Sequence, residues 1–187
     1  SRNVLYSKCT LSVCRFLACG GACAIWFGGG WIDIVLAGIC GSLIGIAESW
    51  KVLNKEERIV FEAMASFAVG VVAGAISINW PGYACFGAIG LAGVSDMLQG
   101  FRVVYAVIEL MGKHSISGGA DFLEGILYTM LIAYFLKFGQ TVAEELVGRP
   151  NDDTHLQCTN GIDEYWYLLL VPVASIGWSC LFNPDYK

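Results

Sequence analysis

Six polar or ionisable residues sit where the chain is otherwise oily. Asp96, Gln99, Arg102 and Glu109 fall in one apolar stretch, and Asp121 and Glu124 fall in the next. An ionisable side chain inside a bilayer costs roughly 2.5–3.5 kcal/mol on insertion scales, so each needs a reason to be there. On a continuous helix Arg102 and Glu109, seven apart, share a face, and Gln99 lies three residues from both Asp96 and Arg102. The four would form a connected polar stripe. Asp121 and Glu124 are one turn apart, with Tyr128 four residues further on. Packed as an antiparallel hairpin, the two stretches would set Arg102 against an acid of the second. The chemistry this suggests is a polar pathway. Acids there relay protons or bind a substrate ammonium, and Arg102 binds a carboxylate. The structural alternative is that Glu109 and Asp121 lie wet at the interface and Arg102 pairs internally.

The elements positioning these residues must be membrane helices. Of 187 residues 56% are apolar and 14% charged, and mean hydropathy is +0.62. A soluble chain carries about 25% charged residues. The apolar residues gather in six runs, at about Lys8–Gly28, Trp31–Ala47, Ile59–Ile78, Gly82–Met111, Ser117–Val142 and Tyr165–Phe182. Most approach the roughly 20 residues that cross about 30 Å of hydrocarbon. No period-two alternation marks them as barrel strands. The fourth is too long for one perpendicular span, so it should tilt, bend or run into the interface. Gly100, past its middle, is a place for a break of the kind that exposes backbone to substrate in transporters. The expected fold class is all-α, a polytopic bundle of about six transmembrane helices.

Loop charge orients the bundle. Arg2 and Lys8 precede the first run; Lys51, Lys55 and Arg58 lie between the second and third; Lys113 and His114 lie between the fourth and fifth; Lys187 follows the sixth. The intervening turns at Gly28-Gly29-Gly30 and Asn79–Gly82 carry no Lys or Arg, and the Glu144–Glu164 loop has Arg149 against six acids. Positive charge alternates by side, which places both ends in the cytoplasm. Trp26, Trp31, Trp50, Trp80 and Trp166 fall near helix ends, where amphipathic rings meet headgroups. Arg15 and Lys137 are expected to snorkel to the interface.

Other signals are structural. Gly28, Gly29 and Gly30 read as a turn between helices. Asp33 reads as a cap for the second helix, its carboxylate accepting from free N–H groups. Gly41/Gly45 and Gly70/Gly74 are small-xxx-small pairs that let helices approach closely, and Gly87, Gly90 and Gly93 add a small stripe to the fourth run. Seven of eight cysteines lie in apolar runs as small packing residues. Cys158 lies in a polar loop, and no second loop cysteine offers itself as partner. Neither a metal nor a cofactor is expected, and no nucleophile elbow, P-loop, dinucleotide fingerprint or zinc motif points to an enzyme. The net charge of −5 with no basic stripe argues against nucleic acid.

Three stretches in order resemble a known family: Phe27-Gly-Gly-Gly-Trp-Ile-Asp33 running on to Ala37-Gly-Ile-Cys-Gly41; Gly100 with Glu109-Leu110, Ser115-Ile-Ser-Gly118 and Phe138-Gly139; and Cys158-Thr-Asn with Leu170-Val-Pro-Val173. They look like the threonine/serine exporter family, especially its fungal branch of pheromone-regulated membrane proteins. The resemblance implies a ten-helix protein of two five-helix halves. Residues 1–142 would be the first half, 143–163 an extracytoplasmic acidic loop, and 164–187 the first helix of the second half. Partners implied are the lipid bilayer, a small-molecule substrate, and the remainder of the protein or a second copy. The family's Pro-Gly is Gln99-Gly100 here, and its fifth-helix Arg is Asp121, so a cation near the expected site has become an anion. The expected function is a proton-coupled exporter of an amino acid or carboxylate; the alternative is a non-transporting membrane scaffold.

Overall fold

The structure is a computed structural model that describes residues 8–50, 55–98, 100–112, 115–148, 158 and 161–182. The described residues form α1 (Lys8–Phe27), α2 (Trp31–Trp50), α3 (Lys55–Asn79), α4 (Phe86–Gly93), α5 (Gly100–Met111), α6 (Ser115–Val147) and α7 (Tyr167–Phe182), the last preceded by a 3-10 turn at Glu164–Trp166. This is the expected all-α membrane bundle. Four helices, α1, α2, α3 and α6, are long and apolar enough to cross a membrane. Their outward faces stay oily: Leu43, Met64, Leu127 and Met130 are all exposed. In water such surfaces would drive aggregation; in lipid they are the solvent-facing side.

Neighbouring helices are set by small residues. A methyl group on Gly70 would fall on the Leu136 carbonyl oxygen, and one on Gly139 on the Phe67 carbonyl, so α3 and α6 touch backbone to backbone. On the α1–α2 seam Gly38 faces Phe16, Gly41 faces Cys19 and Gly45 faces Arg15. Gly21 and Gly177 serve the α1–α7 seam, against Ala174 and Ala18, and Gly118 serves α5–α6, against Ala106 and Leu110. Hydrophobic burial cannot drive helices together in lipid, so close approach and dispersion must. These pairings also fix direction. Helix α3 runs parallel to α6, while α1 is antiparallel to α2 and α7, and α5 to α6. Among the described residues the helices therefore alternate in direction through six passes, α4 and α5 sharing one.

The fourth apolar run is two helices, not one. Helix α4 is only about 12 Å long, and seven of its eight residues are buried. It lies between α1, α2 and α3. The chain then leaves helical geometry from Val94 to Leu98 before α5 begins at Gly100. The break falls ahead of the glycine expected to host it. Non-helical backbone at membrane depth survives only where protein satisfies it. Here Ser95, Met97 and Leu98 donate N–H bonds to the carbonyls of Ala92, Val94 and Ser95, and the Ser95 hydroxyl donates to the Ala92 carbonyl at 2.7 Å. Val94, Ser95 and Met97 are buried.

Helix α6, with 33 residues, is about 50 Å long. It exceeds the hydrocarbon thickness and carries Lys137, Gln140 and Glu144 in a hydrogen-bonded ladder near its end. It runs to Val147, five residues into the stretch read from sequence as loop.

Candidate functional site

Arg15 opens the site. It lies seven residues into α1, and its side chain is 12% exposed. No residue three or four positions away on α1 is acidic, so a partner must come from another helix. Two come. Arg15 Nη2 donates to Glu48 Oε2, near the end of α2, at 2.7 Å, and Arg15 Nε lies 3.1 Å from Asp96 Oδ2 without hydrogen-bond alignment. Gly45, one turn before Glu48, is what lets the arginine stem pass: a β-carbon there would lie 2.5 Å from Arg15 Cδ.

The chain of charge continues onto α3. Arg58 Nη2 lies 3.5 Å from Glu48 Oε1, and Arg58 Nε donates to Glu62 Oε1 at 2.6 Å. Asp96, Arg15, Glu48, Arg58 and Glu62 thus alternate in sign along a connected row. Four crossings contribute to it. Arg58 is largely exposed, whereas Glu62 is buried, so the row leads from the bundle surface inward. Each charge has an opposite neighbour, which offsets the desolvation cost of isolation. Three carboxylates face two guanidinium groups, leaving one negative charge when all are ionised.

Asp96 lies in the break between α4 and α5, so the site and the interrupted helix coincide. The break also dissolves the single helical stripe expected from sequence. Asp96 belongs to the turn, whereas Arg102 and Glu109 belong to α5. Gln99 and the side chain of Arg102 lie outside the described residues. Gly100 is the first residue of α5. Glu109 is half-buried, and its Oε2 has no hydrogen-bond partner among the described residues. Asp121 is half-buried and Glu124 exposed, both on α6. Arg15, expected to snorkel, instead pairs inside the protein, because two acids from other helices meet it there. Glu48 and Glu62 carry no signal of this role in the sequence, and Arg58 reads there only as a loop charge. An arginine in an apolar helix with no acid one turn away is the sequence signal that its partners lie on other helices.

The opposite end of α4 is held differently. Asp33 is almost fully buried. It sits in the first turn of α2 rather than at the cap position, and its Oδ2 accepts from the Gly30 N–H at 2.9 Å, the reciprocal half of a capping box. Its Oδ1 accepts from the Cys85 N–H at 3.0 Å, one residue before α4. One carboxylate therefore caps two helices. Gly28 makes the preceding turn possible with φ +61°, and Gly29 and Gly30 are buried beneath it. Cys85 also forms a disulfide with Cys158, so the partner of the loop cysteine was hidden at the edge of an apolar run. Cys14, Cys19, Cys23, Cys40 and Cys180 are free thiols, the first four of them buried.

The chain matches the model of the threonine/serine exporter family over residues 1–146. Among curated proteins it is 32% identical to pheromone-regulated membrane protein 10 of Debaryomyces hansenii over 160 residues, 82% of this chain and 15% of that protein. It is 30% identical to the protein of the same name in Yarrowia lipolytica, over 86% of this chain and 14% of the relative. An uncharacterised Schizosaccharomyces pombe protein is 25% identical over 92% of this chain and 21% of its own length. The chain thus spans about a fifth or less of these relatives. No solved structure matches. With a family match reaching from the first residue through nearly all of α6, this chain belongs to the threonine/serine exporter family.

Proposed function

We propose that the chain forms part of a proton-coupled secondary transporter that exports a small polar metabolite, an amino acid or a carboxylate. The observation that carries this reading is the row of five alternating charges ending at Asp96, inside the break of a membrane-buried helix. Broken helices place polar groups near the midplane, where transporters bind substrate. The row has one acid in excess, so it can take a proton without creating an unpaired cation. A proton on Asp96 would free the Nε side of Arg15 for an anionic group of the substrate, while Nη2 stays on Glu48. Residues 1–142 act as the first membrane half in this reading, and 164–187 begin the second.

The same reading sets orientation. Disulfides persist in oxidising compartments. The Cys85–Cys158 end would then face the lumen or exterior, and the Arg15 end the cytosol, in agreement with the loop charges. In sealed cytosol-side-out vesicles, an epitope inserted after Gly148 should be shielded from added protease, and one placed before Lys8 should be cleaved. The reverse pattern would overturn the orientation.

Transport is tested on the full-length protein in proteoliposomes, with radiolabelled threonine, serine and dicarboxylates offered in turn. At least one should move in response to an imposed pH gradient. Asp96→Asn should lower gradient-driven flux at least tenfold while leaving substrate exchange at zero gradient, because only the coupled step needs the titrating group. Equal gradient-driven flux in the variant would remove Asp96 from coupling. No flux of any substrate through folded wild-type protein would favour a non-transporting scaffold.

A further inference from the structure

Helix α4 is fastened at both ends, and one fastening is chemically reversible. At its start are the Asp33 carboxylate on the Cys85 N–H and the Cys85–Cys158 disulfide. At its far end are the Asp96–Arg15 pair and the Ser95 hydroxyl, which lies 3.7 Å from Cys19 Sγ on α1. Between them α4 is short, buried and interrupted, so its own backbone contributes little to holding it in place. The disulfide links this half-helix to the chain 73 residues later, where Cys158 packs against a cluster that includes Cys23, Ala37 and Ala88. Cys85 is buried, but Cys158 is partly exposed, so a reductant has one sulfur to approach.

We infer that the Cys85–Cys158 bond is a thiol-sensitive staple that seats α4, and that its reduction lets the far end of α4 shift away from α1. A thiolate attacks Cys158 Sγ, and Cys85 leaves as a thiolate that takes up a proton. A second external thiolate then attacks the sulfur of the first, and Cys158 leaves as a thiolate that takes up a proton. Two external thiols become one disulfide while the protein's disulfide becomes two thiols. The Asp33 hydrogen bond remains after reduction, so α4 is loosened rather than expelled. The staple acts on the site of the proposed transporter, and its effect on flux rests on that reading; its effect on the position of α4 does not.

Cys19 reports the movement. It is fully buried, covered on one side by Gly41 of α2 and on the other by Ser95. Cys14, on the α1–α7 seam where its carbonyl meets Gly177, is the internal control. Full-length protein in vesicles is treated with tris(2-carboxyethyl)phosphine, which cleaves the bond by taking oxygen from water as it is oxidised. N-ethylmaleimide is then added, and labelled peptides are quantified by mass spectrometry. Labelling of Cys19 should rise at least tenfold with reduction while that of Cys14 stays constant. Cys158→Ser should show the high Cys19 rate without reductant, and reduction of folded wild-type protein gives the answer even if that variant fails to fold. The inference is overturned if Cys19 labelling is unchanged once Cys85 and Cys158 are shown to be free thiols. It is equally overturned if Cys14 and Cys19 rise together, which is general unfolding, or if the two cysteines are never bonded in protein isolated without reductant. None of these readouts requires transport, so a protein that moves no substrate still decides the matter.

Discussion

Arg15→Met should destabilise the bundle by up to about 3–5 kcal/mol, the cost of leaving part-buried carboxylates without the buried cation between them. Methionine keeps the stem that fills the groove beside Gly45, so lost packing contributes little. What disappears is the charge that answers both Glu48 and Asp96. Fluorescence-detected thermal unfolding in detergent reads the loss. Two companions identify the cause. Arg58→Met removes a cation that is largely exposed and strands one buried carboxylate, Glu62, so it should cost more than a surface pair's roughly 1 kcal/mol but less than Arg15→Met. Adding Glu48→Gln and Asp96→Asn to Arg15→Met should restore much of the stability, since replacing a whole buried ionic group is far cheaper than breaking one. A triple variant no more stable than Arg15→Met would mean that the arginine acts through shape rather than charge.

The second large effect is expected at the α3–α6 crossing. Alanine at Gly70 or Gly139 places a methyl group onto opposing backbone, at the Leu136 carbonyl in one case and the Phe67 carbonyl in the other. Backbone cannot swing aside as a side chain can. Each substitution should therefore cost about 1–3 kcal/mol or more as overpacking. This reverses the helix-propensity trend, in which Ala is better than Gly by about 1 kcal/mol. Gly119→Ala, on the same helix α6 but with nothing within 4 Å of the new methyl group, should show the ordinary gain. The comparison is made by thermal unfolding and by the monodisperse fraction on size exclusion. Gly70→Ala and Gly139→Ala as stable as wild type would mean that the two helices do not meet at these glycines.

Much of the architecture is legible without coordinates, because a bilayer leaves few options. Backbone groups in hydrocarbon must bond within their own segment, so long apolar runs become helices, and the runs of α1, α2 and α3 match the helices to within a few residues at most ends. The alternation of Lys and Arg among loops suits an even number of crossings, and the described helices run in six alternating passes. The Gly41/Gly45 and Gly70/Gly74 pairs announce close helix contacts, since only small residues allow them.

Partnership across the bundle is what one-dimensional spacing does not contain. The row from Asp96 to Glu62 draws on residues 15, 48, 58, 62 and 96, and within it only Arg58 and Glu62 are helical neighbours. Reading polar residues along one segment therefore favoured a stripe through Asp96, Gln99, Arg102 and Glu109. The tertiary fold interrupted that segment at Val94–Leu98 and turned Asp96 toward α1. The break itself was not dictated locally. No proline marks it, and its backbone is satisfied by short-range turns and by burial among α1, α2 and α3. The pairing of Cys158 with Cys85 and the double cap by Asp33 have the same origin. Apolar content determines which segments enter a membrane, because that cost is summed residue by residue along the chain. Which charges meet is decided by the packing of helices remote in sequence, because electrostatic pairing depends on distance in space.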